Sequence, residues 1–449
     1  MGQSVEENAR TVAIDALCQW DESRLPMDRI FTEAAARLDP MERRLARTMV
    51  YGVLRQRDVL DAVLDNYSHH APEKMKSRTR MTLRVGIFQL LFLSRIPSSA
   101  AVNTTVNTLK RARQPSWLVG FVNGLLRRVA ANRETLDRFF LDADGLPRTN
   151  HPHWLCARWQ QQYGAEKMRA ICAVNNSEPP LCLRVNTRKI GRADFLTELK
   201  KSGVNAQASS LSPVGLVVTG YPGPVASLHG YASGLFQVQD DAAQLASMLL
   251  RMSEPCRVLD ACAGLGGKTG HLVELLPAGS TVLALEPDTR RHRLLLENIG
   301  RLGHQSQVLP VQGSLAEFAA SRPQAFDAIL VDAPCSGTGV IRRQPDIRWN
   351  RQPEDLSRYA ETQLALVQQA RTLLKPGGTL VYATCSLEPE ENGQLIGRFL
   401  GSNPNFYQED AAAYLPEQAR RLLRSDGFFA PLPTDDCDGF FACRLRRTL

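Results

Sequence analysis

Apolar positions in the first third of the chain recur at helical spacing. Leu45, Met49 and Val53, then Leu60 and Leu64, set the pattern, and Met81 to Leu93 and Thr105 to Ala131 continue it with almost no strand-like alternation. Residues 1–145 are therefore expected to form an all-helical domain. The polar passage Asp142-Ala143-Asp144-Gly145-Leu146-Pro147-Arg148-Thr149-Asn150 reads as a linker by its turn-forming residues. A helical pattern then runs from His153 through Met168, Leu181 to Asn186 reads as a strand, and turns such as Tyr221-Pro222-Gly223-Pro224 follow. Residues 151–235 are expected to be a small mixed α/β unit.

From Phe236-Gln237-Val238-Gln239-Asp240 onward the pattern changes again, opening a third part over residues 236–449. Short apolar runs, Arg257 to Ala261, Thr281 to Leu285, Gln307 to Val311, Phe326 to Val331 and Thr379 to Thr384, alternate with helical segments. A long helix, Leu356 to Leu374, is expected to stop at Lys375-Pro376-Gly377-Gly378. Strand and helix in alternation predict a doubly wound, Rossmann-like parallel sheet, which binds ligands at the carboxyl ends of its strands. The whole is a multidomain α plus α/β chain.

Charge adds a partner to this picture. The 449 residues carry a net +8, but Lys74 to Arg133 holds twelve basic side chains and no acid in 60 residues, leaving −4 for the other 389. A basic excess so confined is the footprint of a polyanion, and it favours nucleic acid over an arginine-rich solvated surface, which ordinarily mixes acids among its bases. The ten cysteines are scattered without paired spacing or nearby histidine, so neither zinc site nor disulfide framework is expected. His151 and His153 flank a proline with no third ligand in view and read as structural. Met1 to Trp20 has no basic region followed by an apolar block and no run reaches transmembrane length, which makes the expected chain cytoplasmic and reduced, without membrane or metal, and a monomer.

The strand Arg257 to Ala261 gives way to Cys262-Ala263-Gly264-Leu265-Gly266-Gly267-Lys268-Thr269. A phosphate-cradling loop ending Gly-Lys-Thr needs its first glycine where Cys262 stands, and a dinucleotide fingerprint needs one where Thr269 stands. Both patterns fail at one position. Twenty residues after Gly266, Glu286 closes the next apolar run, where a carboxylate hydrogen-bonds ribose hydroxyls. A glycine turn and a ribose acid without phosphate chemistry suit S-adenosylmethionine; the bland reading is a sharp turn in an α/β domain.

Two cysteines lie just past strand ends, in Asp332-Ala333-Pro334-Cys335-Ser336-Gly337 and Tyr382-Ala383-Thr384-Cys385-Ser386, whereas a structural cysteine is ordinarily a small hydrophobe inside an element. Successive strands often lie side by side, which would bring both thiols to one pocket. Carbon 5 of a pyrimidine is a poor nucleophile until a thiolate adds to carbon 6, after which it can attack a methyl sulfonium and a base can remove the carbon-5 proton. Asp332 is expected to hydrogen-bond the exocyclic amine or a protonated ring nitrogen. Some positive charge must favour the thiolate, and Lys268 is one candidate. This chemistry does not rank the cysteines: DNA cytosine methyltransferases use the one that follows proline, which keeps Cys335 open.

Asp-Ala-Pro-Cys, Thr-Cys-Ser and the glycine loop together resemble the RNA cytosine-C5 methyltransferases over nearly the whole chain. Phe121-Val122-Asn123-Gly124-Leu125-Leu126-Arg127-Arg128 resembles the NusB-like RNA-binding domain that heads the bacterial 16S ribosomal RNA subfamily, and Arg184-Val185-Asn186-Thr187 matches another motif of that subfamily. The resemblance implies Cys385 as nucleophile and Cys335 as the group assisting product release. It implies that Cys262, Ala263, Gly264, Leu265, Gly266, Gly267, Lys268, Glu286, Ser314 and Asp332 bind S-adenosylmethionine. Lys110, Arg111, Arg127, Arg128, Arg184, Arg342 and Arg343 would bind 16S ribosomal RNA, with Arg342-Arg343-Gln344-Pro345-Asp346 near its entrance and Asp438-Gly439-Phe440-Phe441 as a closing hairpin. The chain departs from the family twice, with Gly264-Leu265 where Ala-Pro is usual and Ser314 where an aspartate usually stands near the adenine amino group. Two rival readings are an RNA-binding assembly or antitermination factor that has lost activity, and a nucleotide triphosphatase, whose magnesium-binding strand Ile329-Leu330-Val331-Asp332 imitates.

Overall fold

The computed structural model describes residues 8–321 and 325–449, so the first seven residues of the Met1 to Trp20 stretch lie outside the described residues. Contacts divide the chain into two compact units: one runs to Ser177 and takes in Ile341–Asn350, the other comprises Glu178–Val340 and Arg351–Leu449.

The first unit is helical: α1 (Ala9–Ser23), α2 (Met27–Ala34), α3 (Pro40–Arg55), α4 (Arg57–Tyr67), α5 (Ser77–Phe92), α6 (Ser98–Arg111), α7 (Ser116–Ala131), α8 (His153–Tyr163) and α9 (Ala165–Asn175). The Asn8 side chain accepts from the amides of Arg10 and Thr11, and Asp39 does the same for α3 ahead of Pro40, satisfying amide groups that a helix start leaves unpaired. A Cβ at Gly86 would stand 2.7 Å from Leu126, so glycine there lets α5 and α7 approach closely. The expected segment Thr105 to Ala131 proves to be two helices: Arg113 takes a left-handed φ of 50°, and Pro115, at the N-cap, opens α7. The helical stretch expected through Met168 is likewise broken, at Gly164 with φ 86°.

The basic segment does find acids, supplied by other helices. Arg78 pairs with Asp15 at 2.6 Å, Arg80 with Asp21 at 2.5 Å and Arg84 with Asp61 at 2.7 Å. His151 is buried, with Nδ1 2.6 Å from the Thr149 carbonyl and Nε2 3.2 Å from Asn175 Nδ2, a structural histidine as expected. Burial and then Arg348 push its pKa well down, keeping the ring neutral.

The segment Ile341–Asn350 belongs to this helical unit although it follows a strand of the other. Arg348 is fully buried and donates to the carbonyls of Asn150 (2.7 Å) and Asn175 (2.9 Å) and to Asn176 Oδ1 (2.6 Å). Trp349 Nε1 donates to the Leu54 carbonyl at 2.7 Å, and Asp346 accepts from the Met27 amide at 3.1 Å. Arg342, expected near RNA, is buried here with its carbonyl accepting from Arg55, and Arg343 is half-buried.

The second unit holds two sheets. Strands β1 (Leu181–Val185), β2 (Ala206–Ala208), β3 (Gly215–Val218) and β4 (Phe236–Val238) form an antiparallel sheet in the order β2-β3-β1-β4, with α10 (Arg192–Lys201) packed on it. Phe236-Gln237-Val238, expected to open the third part, instead completes this small sheet by pairing with β1. α11 (Asp241–Met248) leads to the larger sheet, whose order is β10-β11-β9-β8-β5-β6-β7. Its strands are β5 (Arg257–Asp260), β6 (Thr281–Leu285), β7 (Val308–Val311), β8 (Phe326–Asp332), β9 (Leu374–Thr384), β10 (Phe406–Glu409) and β11 (Phe441–Arg447). β7-β6-β5-β8-β9 are parallel and β11 is antiparallel to both neighbours.

Helices α12 (Gly267–Leu275), α13 (Thr289–Leu302), α14 (Leu315–Ser321), α15 (Ile347–Asn350, in the helical unit), α16 (Pro353–Leu373) and α17 (Gly393–Ser402) connect these strands. α16 ends at Leu373, as expected ahead of Lys375-Pro376-Gly377-Gly378, and runs directly into β9; those four residues are also the bulged start of that strand, because pairing slips between Phe326 and Ala328 and the Gly377 amide donates to the Thr448 carbonyl. The chain winds from β5 outward through β6 and β7, then returns to lay β8 on the other side of β5. A sheet of this kind opens its ligand crevice at that reversal.

Candidate active site

The β5 turn and the β8 loop both leave the sheet at the reversal. Asp260 ends β5, fully buried, with Oδ2 accepting from the Thr269 hydroxyl at 2.7 Å and Oδ1 without a hydrogen-bond partner. Burial pushes its pKa up to about 6, against the pull of the Thr269 hydroxyl. The chain then turns through Gly264 at φ 56° and Gly266 at φ 83°, left-handed conformations that favour glycine. A Cβ at Gly264 or Gly267 would meet nothing within 4 Å, which leaves the rim of the turn open to a ligand. Leu265 is exposed at 47% and Ala263 is buried.

Lys268, in the first turn of α12, reaches Asp332 at the end of β8 with 2.6 Å between Nζ and Oδ2, and lies over the Phe440 ring at 5.1 Å. Burial works against its charge, but Asp332 and behind it Cys385 outweigh that and raise its pKa. Glu286, buried after β6, accepts from the Asp288 amide at 2.9 Å. Cys262 is pushed up by burial and then by Asp260, Asp332 and Glu286, so it is a thiol and not a thiolate.

Register pairs Asp332 with Ala383, so the loops after β8 and β9 start side by side and Cys335 Sγ lies 3.2 Å from Cys385 Sγ. Cys335 is raised well above the ordinary thiol range by its hydrogen bond to Cys385, by burial and by the charges of Cys385 and Glu391, so it keeps its proton. The Gly339 amide donates to the Cys385 carbonyl at 2.9 Å and the Gly439 amide to the Gly339 carbonyl at 2.9 Å, so Asp438-Gly439-Phe440-Phe441 clasps the Cys335 loop ahead of β11. A Cβ on Gly339 would sit 2.2 Å from the Gly439 oxygen, which leaves room for no other residue.

Two expected contacts fall elsewhere. Arg184 is not available to RNA: it is fully buried, paired with Glu274 through two 3.0 Å bonds, and donates to the Gly267 carbonyl at 2.6 Å and to Gln239. It braces the glycine turn. Arg342 is buried in the helical unit, as described above. Ser314 caps α14, its hydroxyl donating to Glu317 at 2.7 Å and accepting from the Glu317 amide at 3.3 Å. Lys110, Arg111, Arg127 and Arg128 are exposed on α6 and α7. Sequence reasoning passed over Asp260, although an acid closing a strand just before a glycine turn is a readable signal, and over Trp117, 72% exposed on the face of α7 that carries Gly120, Gly124, Arg127 and Arg128. Among the described residues, no group of His, Cys, Asp or Glu could hold a metal ion and no helix is long and apolar enough to cross a membrane.

Three family models match successive parts of the chain, one lying within the helical unit and one running from that unit into the small sheet across Ser177. Residues 247–446 match the family model described as 16S rRNA methyltransferase RsmB/F, residues 7–131 the NusB family, and residues 151–225 the ferredoxin-like domain of RsmF/B-like methyltransferases. The chain is 36% identical to the ribosomal RNA small subunit methyltransferase B of Proteus mirabilis, covering 95% of this chain and 98% of that one. It is 32% identical to the probable enzyme of the same name from Bacillus subtilis, over 98% and 99%. A solved methyltransferase homologue from Pyrococcus horikoshii superposes with a TM-score of 0.56 at 28% identity, covering 67% of this chain and 96% of that one.

Proposed function

The chain belongs to the 16S rRNA methyltransferase RsmB/F family, and we propose that it methylates carbon 5 of a cytosine in 16S ribosomal RNA through a transient bond from Cys385 to carbon 6. The observation that carries this reading is the 3.2 Å approach of the Cys335 and Cys385 thiols, beside the Lys268–Asp332 pair. Lys268 favours the Cys385 thiolate, which adds to carbon 6 and makes carbon 5 nucleophilic. Asp332 accepts a hydrogen bond from the cytosine amine. Once Cys385 is bonded to carbon 6 and carbon 5 carries the methyl group, Cys335 gives its own proton to solvent and, as a thiolate, takes up the carbon-5 proton, so the electrons of that C–H bond restore the carbon 5–carbon 6 double bond and expel Cys385 as thiolate.

S-adenosylmethionine, when bound, supplies an electrophilic methyl group. The residues fit it: Asp260, Glu286 and Asp332 set three carboxylates against the single ammonium of Lys268, a surplus suited to a sulfonium, and the turn over Gly264 and Gly267 is open. Cys262 to Lys268 would hold the cofactor, with Glu286 on the ribose. The target base must be unpaired or flipped to reach the thiols. Lys110, Arg111, Arg127 and Arg128 would hold RNA phosphates, and Trp117 would offer a ring to an unstacked base.

The test is trapping. RNA carrying 5-fluorocytosine, which cannot release its carbon-5 substituent as a proton, is expected to form a covalent adduct stable on a denaturing gel in the presence of cofactor. Cys385→Ala should abolish adduct and methyl transfer while RNA binding persists, whereas Cys335→Ala should accumulate adduct on normal RNA. Exchanged phenotypes would overturn the role assignment, and no adduct with any chain would overturn the reaction.

A further inference from the structure

One buried carboxylate joins the two cysteine loops and takes no part in the reaction above. Glu391 lies in the short turn Pro389–Glu391 after β9 and is fully buried. Its Oε2 accepts from the Ser336 amide (2.8 Å) and from Gln363 Nε2 on α16 (2.8 Å), and its Oε1 accepts from the Ser386 hydroxyl (2.7 Å). Ser336 directly follows Cys335 and Ser386 directly follows Cys385, and the two serine oxygens are 3.0 Å apart. The Glu391 carbonyl accepts from the Tyr382 hydroxyl at 2.6 Å, fixing the turn to β9.

Burying a carboxylate is costly unless donors satisfy it. Three donors do so here, one from each cysteine loop and one from α16, and a carboxylate, acceptor-only on both oxygens, suits such a set where an amide would present a donor to another donor. The arrangement serves packing poorly and geometry well: each oxygen is committed to the residue following one cysteine. We propose that Glu391 is a positioning residue that holds the Cys335 and Cys385 loops at one separation and thereby sets the distance between their thiols. Its charge also favours the proton on Cys335, whose other titratable neighbours are Cys385, Tyr359 and Tyr382. The catalytic consequence rests on the proposed function; the positioning itself does not.

The experiment uses the full chain with Glu391→Gln and, because that variant could fail to fold, Ser386→Ala, which removes one arm alone. Three quantities are read: thermal midpoint with and without S-adenosylhomocysteine, single-turnover methyl transfer to a 16S transcript across pH, and the rate at which the thiol oxidant diamide forms a Cys335–Cys385 disulfide, followed by peptide mass. Glu391→Gln should keep the ligand-induced rise in midpoint. It should lose about 100-fold in transfer, the penalty of roughly 1 Å misplacement. It should also slow disulfide formation several-fold and move to lower pH the limb of the profile on which Cys335 loses its proton, an effect that destabilisation alone would not produce. Ser386→Ala should change transfer and cross-linking in the same direction by less. Wild-type cross-linking, transfer and pH profile in whichever variant folds would overturn the proposal. A wild-type chain inactive on RNA, with the cross-linking difference intact, would sink the proposed reaction and leave the positioning role standing.

Discussion

On α7, Arg127 and Arg128 stand in solvent beside the exposed Trp117; on β1, Arg184 is fully buried between Glu274 and the glycine turn. The residue type is the same, and a charge census of the sequence counts each as +1. The difference lies in what surrounds the guanidinium. Arg184 has its planar fork matched by both oxygens of one carboxylate and by a backbone carbonyl, an arrangement that exploits its fixed donor geometry. The α7 arginines keep theirs turned to water, apart from one Arg128 bond to the Tyr67 carbonyl at 2.8 Å. One region uses arginine to rigidify a ligand loop, the other to present charge.

The comparison breaks if the two regions respond alike to mutation. Arg184→Met leaves the buried Glu274 with only His304 as partner and should cost about 3–5 kcal/mol of stability in denaturant unfolding, with loss of S-adenosylhomocysteine binding as the Gly267 turn loosens. The pH response of the same neighbourhood is next in size. Burial, then Arg184, push His271 down to about 3 from 6.5, so the ring stays neutral in the folded chain while the unfolded chain gains a proton. That contribution is complete above 6.5 and disappears as pH falls from there toward about 3, at most about 5 kcal/mol, because fewer protons are bound folded than unfolded. His271→Leu should flatten this acid limb, as measured by thermal midpoint against pH.

Smaller effects belong to α7. Trp117→Ala should weaken binding of single-stranded RNA by about 1–3 kcal/mol without moving the thermal midpoint, which a filter-binding titration would read. Arg127→Ala and Arg128→Ala should each lower the slope of log affinity against log salt by roughly 0.7–0.9 and change folding stability by less than about 0.5 kcal/mol. A stability loss from either, or an unchanged salt slope, would erase the distinction between presenting charge and burying it.

How far the sequence carried follows from the same physics. Period and punctuation are local, so the helical head, the strand alternation, the glycine turn and the two post-strand cysteines were all readable, and their convergence followed from the tendency of successive parallel strands to neighbour one another. Partner choice is not local. Phe236 to Val238 joins β1 across some fifty residues, and a three-residue strand has no periodicity from which to foresee its sheet. Lys375-Pro376-Gly377-Gly378 ends the helix as its composition indicates, yet it also opens β9 with a bulge, because β8 and Thr448 supply its hydrogen bonds. Arg184 and Arg342 read as RNA contacts from motifs of the resembling family, in which burial is invisible, and Glu391 sits among acids, Glu388 and Glu390, that nothing in composition separates from it.

The placement of Ile341–Asn350 among the first helices has a consequence for the order of events during synthesis. Between Ser177 and Ile341 the ribosome must add 163 residues, about 8–33 seconds of elongation. Throughout that interval the carbonyls of Asn150 and Asn175 await the Arg348 guanidinium, and Leu54 awaits the indole of Trp349. The nascent head therefore matures only after the chain has run through the first cysteine loop, so a fragment truncated at Ser177 is an unfinished object, and its defects on dissection would be misread as those of a domain.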